Sequence, residues 1–266
     1  MEPKDYITIG ISACAFLVSL VSFIVSRRSK KQEDARKEYE DERNLRSLMN
    51  ETINNIRTSR KYIAQHGQKD QMVIGQFNYQ INSLARLAVY ITERIPGLVT
   101  DIEFATLADA FNWTGDRQKA RQFWENAIAA SKDEYYGIVN RRDYANFLFL
   151  SGNVGAGREQ YKKALELSPI SDDTSKYTTG YTYRMWSWNE RAAGNELTAT
   201  EYYNKAAEAY TTISVEGMRA YAMADLEHAR LTTSTTTPPP RLSEAPPSPA
   251  IPDRAEMLKS FSRGKP

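Results

Sequence analysis

The chain is poor in the residues that build staples and metal centres: it has one cysteine and two histidines. One cysteine permits no intrachain disulfide, which excludes a secreted fold held by bridges. So few Cys and His also leave no ligand set for a zinc site of the usual kind. An excess of one charge is lacking too, since 35 Lys and Arg face 33 Asp and Glu, a net +2. That excludes a uniformly basic chain that coats nucleic acid. Proline is nearly absent until late, with eight of the eleven lying from Pro238 onward. What is present is apolar and aromatic: 41% of residues are hydrophobic, with 16 Tyr, 9 Phe and 4 Trp. This is enough for a core, so wholesale disorder is excluded. Charge is uneven along the chain. Residues 1–100 carry +4, residues 101–231 carry −4 and residues 232–266 carry +2.

The long uncharged run stands near the start, beyond a short N-terminus at 1–6. From Ile7 to Ser26 there are twenty residues without a charge. A helix of that length spans about 30 Å, the hydrocarbon thickness of a bilayer. The basic leader of a signal peptide is missing, because Glu2 and Asp5 flank Lys4. Residues 11–14 look like a lipoprotein cleavage box, yet the apolar run continues twelve residues past Cys14. The reading is one transmembrane helix at 7–26 in contact with the lipid bilayer. Arg27, Arg28, Lys30 and Lys31 follow it, and only Lys4 precedes it. The positive-inside rule then predicts a single-pass protein of the cell membrane with its C-terminal bulk in the cytoplasm. Within the span Ser12, Ala15, Ser19, Ser22 and Ser26 recur at alternating three- and four-residue steps. Small residues so spaced form a stripe where another membrane helix can approach, which would make a homo-oligomer.

Residues 27–66 read as a charged helical stalk, rich in good helix formers and with Glu33/Lys37 and Glu42/Arg46 as i,i+4 pairs. An apolar stripe begins inside it at Leu45, Met49, Ile53, Ile56 and Ile63. That stripe is either a short coiled-coil seam or a face packed on the domain beyond the stalk. Residues 67–98 form a helical lead-in with room for a degenerate repeat, ending at Pro96-Gly97.

From residue 101 the chain repeats itself. Phe104, Leu107, Ala108 and Phe111 precede a turn at Gly115, then Ala120, Trp124 and Ala127 follow. Tyr144, Ala145 and Leu148 precede Gly152, then Gly157, Tyr161 and Ala164 follow; Tyr183, Trp186 and Ser187 precede Gly194, then Ala199, Tyr203 and Ala206 follow. The second-helix aromatics step by 37 and then 42 residues, from Trp124 to Tyr161 to Tyr203. The longer step holds the polar stretch ISDDTSKYT, read as a loop. Alternating small and aromatic residues at helical spacing let paired helices approach and fill the holes beside them.

This pattern resembles the tetratricopeptide repeat, a helix–turn–helix of about 34 residues. GREQYKKALELSP (157–169) is the nearest segment, with DRQKARQFWENAIAAS (116–131) and NELTATEYYNKAAEAY (195–210) as looser versions. The departures are Glu190 at an expected aromatic position, which predicts irregular packing of the third repeat, and Gly157 in place of Ala. Residues 101–231 are therefore read as repeats closed by a capping helix from about 214, with Met218, Tyr221, Ala222 and Leu226 inward. The expected fold is all-α: membrane helix, stalk, repeat array with cap, and a disordered tail.

That tail, 232–266, opens with TTSTTTPPP and has too little apolar surface to order itself. Within it, residues 249–254 (PAIPDR) match a ligand pattern for polyproline-binding domains. Met257, Leu258 and Phe261 alternate with Lys259, Arg263 and Lys265 as a docking peptide would.

No catalytic constellation is visible, so no enzyme, cofactor or metal is expected. His66 and His228 are far apart and without a motif, and the one Cys lies in the expected span. The glycines at 152, 155 and 157 lack the strand and the Gly-Lys-Ser/Thr ending of a phosphate loop. The expected working surface is the concave face lined by the first helix of each repeat. Helical spacing aligns Arg142, Asn146 and Phe149, and next to them Tyr181, Arg184, Trp188 and Arg191, with Asp109, Asn112 and Trp113 extending the row. The resemblance adds that Arg142 and Asn146 are similar to half of the carboxylate clamp of chaperone-binding members, while Trp188 stands where the second half needs a polar group. The function expected is a membrane-anchored adaptor or scaffold that binds a protein or peptide partner on the cytoplasmic face, not nucleic acid. The alternative is a self-associating structural component of a membrane assembly.

Overall fold

The computed structural model describes residues 3–168 and 171–235, with side chains for residues 21–168 and 171–230. Among these residues the chain is all-α, with nine helices and no strand. The helices are α1 Pro3–His66, α2 Gln71–Thr92, α3 Asp101–Trp113, α4 Arg117–Ala130, α5 Glu134–Leu150, α6 Val154–Glu166, α7 Asp173–Ala192, α8 Glu196–Thr211 and α9 Glu216–Thr235.

Four hairpins follow one another: α1/α2, α3/α4, α5/α6 and α7/α8. Each turns at a glycine in the left-handed region, Gly67, Gly115, Gly152 and Gly194, with φ between 68° and 86°. A side chain there would strain the backbone, so glycine sets the hairpin. In three of the four the residue after the glycine donates its N–H five residues back. Asp116 reaches the Phe111 carbonyl at 2.9 Å, Asn153 reaches Leu148 at 2.8 Å and Asn195 reaches Glu190 at 2.8 Å. The same residue caps the next helix, and in Asp116 the side chain accepts from Lys119 N.

The first helices make an inner layer, in which α1, α3, α5, α7 and α9 pack in succession. Each second helix sits between its own partner and the next inner helix. Among the described residues α2, α4, α6 and α8 do not pack on one another. An inner row in mutual contact under a spread outer row leaves a concave inner face, as in stacked helical repeats.

Close approach within a hairpin comes from small residues in one register. Seven residues before the turn glycines at 115, 152 and 194 stand Ala108, Ala145 and Ser187; five after them stand Ala120, Gly157 and Ala199, and of these all but Gly157 add a full side chain to the buried core. Ser187 adds a bond, its hydroxyl donating to the Ala199 carbonyl at 2.6 Å. Gly157 has its own cause. A Cβ there would stand 2.5 Å from the Phe149 ring, so the missing methyl is the space that ring fills.

Glu190 is the polar member of a register that holds Phe111 and Leu148 in the other hairpins, and it is fully buried. It is not a packing fault. Both carboxylate oxygens accept from the Arg158 guanidinium at 2.7 Å, and the Trp186 indole and Asn195 amide each add a bond at 2.9 Å. Burial alone would raise its pKa, but these donors hold it below the ordinary value. Trp186 in turn stacks between Tyr161 and Tyr202, at 5.2 and 3.9 Å. The irregular packing expected here is therefore corrected: a satisfied ion pair replaces an apolar contact.

The stalk has two parts. Side chains 27–40 are exposed all round, braced by the i,i+4 pairs Lys37–Glu33 and Arg36–Glu40. From Leu45 the helix is core: Leu45, Met49 and Ile56 are buried with Ile81, Ala85 and Phe111 of α2 and α3. The apolar stripe is thus satisfied within the chain rather than held out as a coiled-coil seam, and the boundary expected at residue 66 falls on the turn of the first hairpin. Lead-in and stalk together make that hairpin.

At the other end α9 caps the array through Ala222 and Leu226. Tyr221, expected inward, is 65% exposed. The α8–α9 loop is held by Asp173, whose carboxylate accepts from Ser214 N at 2.9 Å and Val215 N at 2.8 Å; these bonds pull its pKa down to about 2. The tail is expected from 232, but α9 continues to Thr235. Residues 236–266 lie outside the described residues. The expected span 7–26 is helical backbone within α1, but its side chains up to residue 20, Ser12, Ala15 and Ser19 included, also lie outside them. Ser22 and Ser26 are exposed. Among the described residues no helix is long and apolar enough to cross a membrane.

Candidate partner-binding groove

The concave face carries a strip of aromatic and charged side chains from every inner helix. At the α1/α3 end the Arg60 guanidinium lies over the Trp113 ring at 5.4 Å. In the middle, Asp109 of α3 faces Asp143 of α5. At the α7/α9 end, Tyr181 lies between two guanidiniums, Arg142 at 4.5 Å and Arg184 at 5.1 Å. Arg184 then reaches Asp225 of α9 at 3.1 Å. Tyr177 stacks one turn away from Tyr181 at 6.2 Å, and Tyr221 projects into solvent from α9.

Two features give the strip its chemistry. The first is that two of its arginines are built in rather than extended. The side chains of Arg142 and Arg184 are 12% and 17% exposed, so each is mostly covered and holds an aromatic ring beneath it. The second is the carboxylate pair. Asp109 is exposed on the groove face, with protein crowded around its base. That crowding desolvates it, and Asp143 repels its charge, so its pKa is pushed up to about 6 although Arg60 pulls the other way. Burial raises Asp143 as well, against the opposing pull of Arg142. Arg142 pairs with Asp143 at 3.4 Å, whereas Asp109 has no ion pair among the described residues.

The residues singled out from sequence divide accordingly. Asp109, Asn146 and Trp188 share one register, six residues before their turn glycines, and all retain some exposure. Arg142 and Arg184 share another, ten residues before, and meet across Tyr181. Trp113 joins through Arg60, and Asn112 is half-buried beside it. Asn146 and Trp113 each bury a polar atom, Oδ1 and Nε1, without a hydrogen-bond partner. Two expectations need correction. Phe149 is buried in the core against Tyr161 at 6.0 Å, because Gly157 opens a slot for it. Arg191 bonds Glu196 across the α7/α8 turn at 3.0 Å, which ties it to the hairpin tip.

Sequence reasoning missed Asp143, Tyr177, Tyr221, Asp225 and Arg60. Asp143 adjoins Arg142, so helical spacing could have found it; the reading of ISDDTSKYT as a loop hid Tyr177 and is corrected, since α7 begins at Asp173 and carries Tyr177 one turn before Tyr181. Arg60 had no signal, because its helix read as a stalk. Among the described residues no cluster of His, Cys, Asp and Glu could hold a metal ion. His66 stacks on Tyr62 at 4.4 Å, far in sequence from His228 on α9.

No family model and no curated protein matches the chain. Among solved structures it is similar to one titled crystal structure of BtubC (BKLC) from P. vanneervenii, at 12% identity and a TM-score of 0.42, over 79% of this chain and 98% of that chain.

Proposed function

We propose that this chain is a membrane-tethered adaptor of the tetratricopeptide-repeat kind, which holds a protein or peptide partner in the concave groove on the cytoplasmic face. The observation that carries the reading is the continuous strip from Arg60 through Asp109, Asp143, Tyr181 and Arg184 to Asp225, which crosses all five inner helices. Half-covered aromatics and arginines on a rigid concave face are the usual anchors of polypeptide recognition. The tether is supported by the uncharged run from Ile7 to Ser26, by the four bases after it and by the unbroken course of α1 from Pro3 to His66. From Ser26 to Asp41, where Arg94 of α2 meets α1 at 2.9 Å, a helix rises about 22 Å, so the groove stands clear of the bilayer on a bare charged stalk.

The test uses the full chain carrying a proximity-labelling enzyme, compared with Trp188→Ala/Tyr221→Ala. The variant should remain in the membrane fraction and keep its helicity, while labelling of a defined protein set falls at least fivefold. An identical labelled set removes the groove. Full-length protein found soluble without detergent removes the tether.

A further inference from the structure

The groove has one feature its own residues leave unanswered, the Asp109 carboxylate beside the Asp143–Arg142 pair, and near it a row of tyrosines that ends on the exposed Tyr221. The polypeptide continuing from α9 has the complementary composition. Residues 246–252 read PPSPAIP, and Lys259, Arg263 and Lys265 alternate with Met257, Leu258 and Phe261. We infer that the C-terminal segment 246–265 of this chain occupies its own concave groove, with its prolines on Tyr177, Tyr181 and Tyr221 and Lys259 and Arg263 beside Asp109 and Asp143. The inference rests on the proposed reading of the concave face as a peptide groove.

Three arguments support this occupant. The first is reach. Tyr221 and Thr235 lie fourteen residues apart on α9, about 21 Å, and an extended proline-rich chain retraces that in about seven residues. The returning chain thus brings the prolines from 246 onward level with the tyrosines. Inner helices stand about 8–10 Å apart, so the three steps from α9 back to α3 take roughly another eight to ten extended residues. That places Lys259 to Arg263 at the carboxylates.

The second argument is charge. The segment 232–266 carries +2 and the repeat region 101–231 carries −4. Arg142 is taken by Asp143 at 3.4 Å and by the Tyr181 ring, and Arg184 by Asp225, so among the described residues Asp109 is left without an ion pair. An incoming cation supplies one. The third is shape. Proline-rich segments pack on rows of aromatic rings with little ordering cost, since they are already extended. The Tyr210 hydroxyl, fully buried behind Tyr177 at 5.8 Å and without a hydrogen-bond partner, gives that row a free polar group at its back.

The experiment is photocrosslinking in the full chain with p-benzoylphenylalanine in place of Tyr221. A mixture of isotopically heavy and light protein is irradiated and the adducts are mapped by mass spectrometry. The expected adducts lie within 238–266 and join residues of one and the same chain. Lys259→Glu/Arg263→Glu/Lys265→Glu should cut their yield at least fivefold, and adding Asp109→Lys/Asp143→Lys to that variant should restore it. Adducts joining heavy to light chains, adducts elsewhere, or a yield indifferent to the charge reversal overturn the inference. A synthetic peptide of residues 246–266, added to the charge-reversed full chain, separates the two readings. If that peptide crosslinks to Tyr221 while the native chain gives no tail adduct, self-docking is wrong and the groove stands. If neither crosslinks, both fall.

Discussion

Arg158→Met should destabilise the protein more than Arg158→Met combined with Glu190→Leu. The Glu190 carboxylate has no exposure, whereas the Arg158 side chain is 39% exposed. Removing the arginine leaves a buried charge with two neutral donors, Trp186 and Asn195. Breaking a buried pair from one side costs about 3–5 kcal/mol, and solvent near the guanidinium lowers this to about 2–3 kcal/mol here. Replacing Glu190 by leucine as well removes the charge. Phe111 and Leu148 fill the same register in the neighbouring hairpins, so an apolar residue fits. What remains is the unpaired Trp186 indole, at about 1–2 kcal/mol. The double variant should therefore be more stable than the single one by about 1 kcal/mol, or roughly 2–4 °C in Tm for a chain of this size. Thermal and urea unfolding followed by circular dichroism, on full chain in mild detergent, reads the order directly. A double variant less stable than Arg158→Met refutes the account of Glu190 as a charge that needs its partner.

Other consequences are equally direct. Gly180→Ala would bring a Cβ to 2.3 Å from the Tyr210 ring, so unfolding should show a loss of about 1–3 kcal/mol, and Gly157→Ala, facing Phe149, a similar one. Gly194→Ala, at φ 82°, should cost about 1–2 kcal/mol, whereas Gly217→Ala, with open space around it and ordinary φ, should cost nothing measurable in the same assay. Asp173 has a folded pKa of about 2, below its unfolded value near 3.8. Its contribution is complete above about pH 4 and is lost as pH falls towards 2, and in Asp173→Asn that acid-side loss should shrink in a pH series of unfolding midpoints. Asp109 has the opposite sign. Raised to about 6, it opposes folding when ionised, so Asp109→Asn should be the more stable protein above pH 6 and should converge on the parent below about pH 4.

The helical pairing was legible because it depends on local chemistry. Glycine at 115, 152 and 194, followed by Asp or Asn, sets each turn, and small residues recur five and seven positions away. The steps of 37 and 42 residues reappear between the turn glycines themselves. The groove was legible in part for the same reason: Arg142 and Arg184, or Asp109, Asn146 and Trp188, fall in common registers that helical spacing aligns.

What spacing could not supply was the identity of partners distant in sequence. Tyr181 is held by Arg142 and Arg184, and Arg184 by Asp225, 41 residues further on. Glu190 reads as a fault until Arg158, 32 residues earlier, is placed against it. Phe149 belongs to the face by periodicity and to the core by the vacancy at Gly157. Residues 27–40 of α1 are a solvated helix by composition, and the helix from Leu45 becomes core only because α2 and α3 fold onto it. Sequence alone determined where the hairpins turn and most of what is helix, the start of α7 at Asp173 excepted, since caps, glycines and periodicity act within a few residues. Only the tertiary structure decided which charges are neutralised and which face stays open, because those depend on groups brought together across whole hairpins.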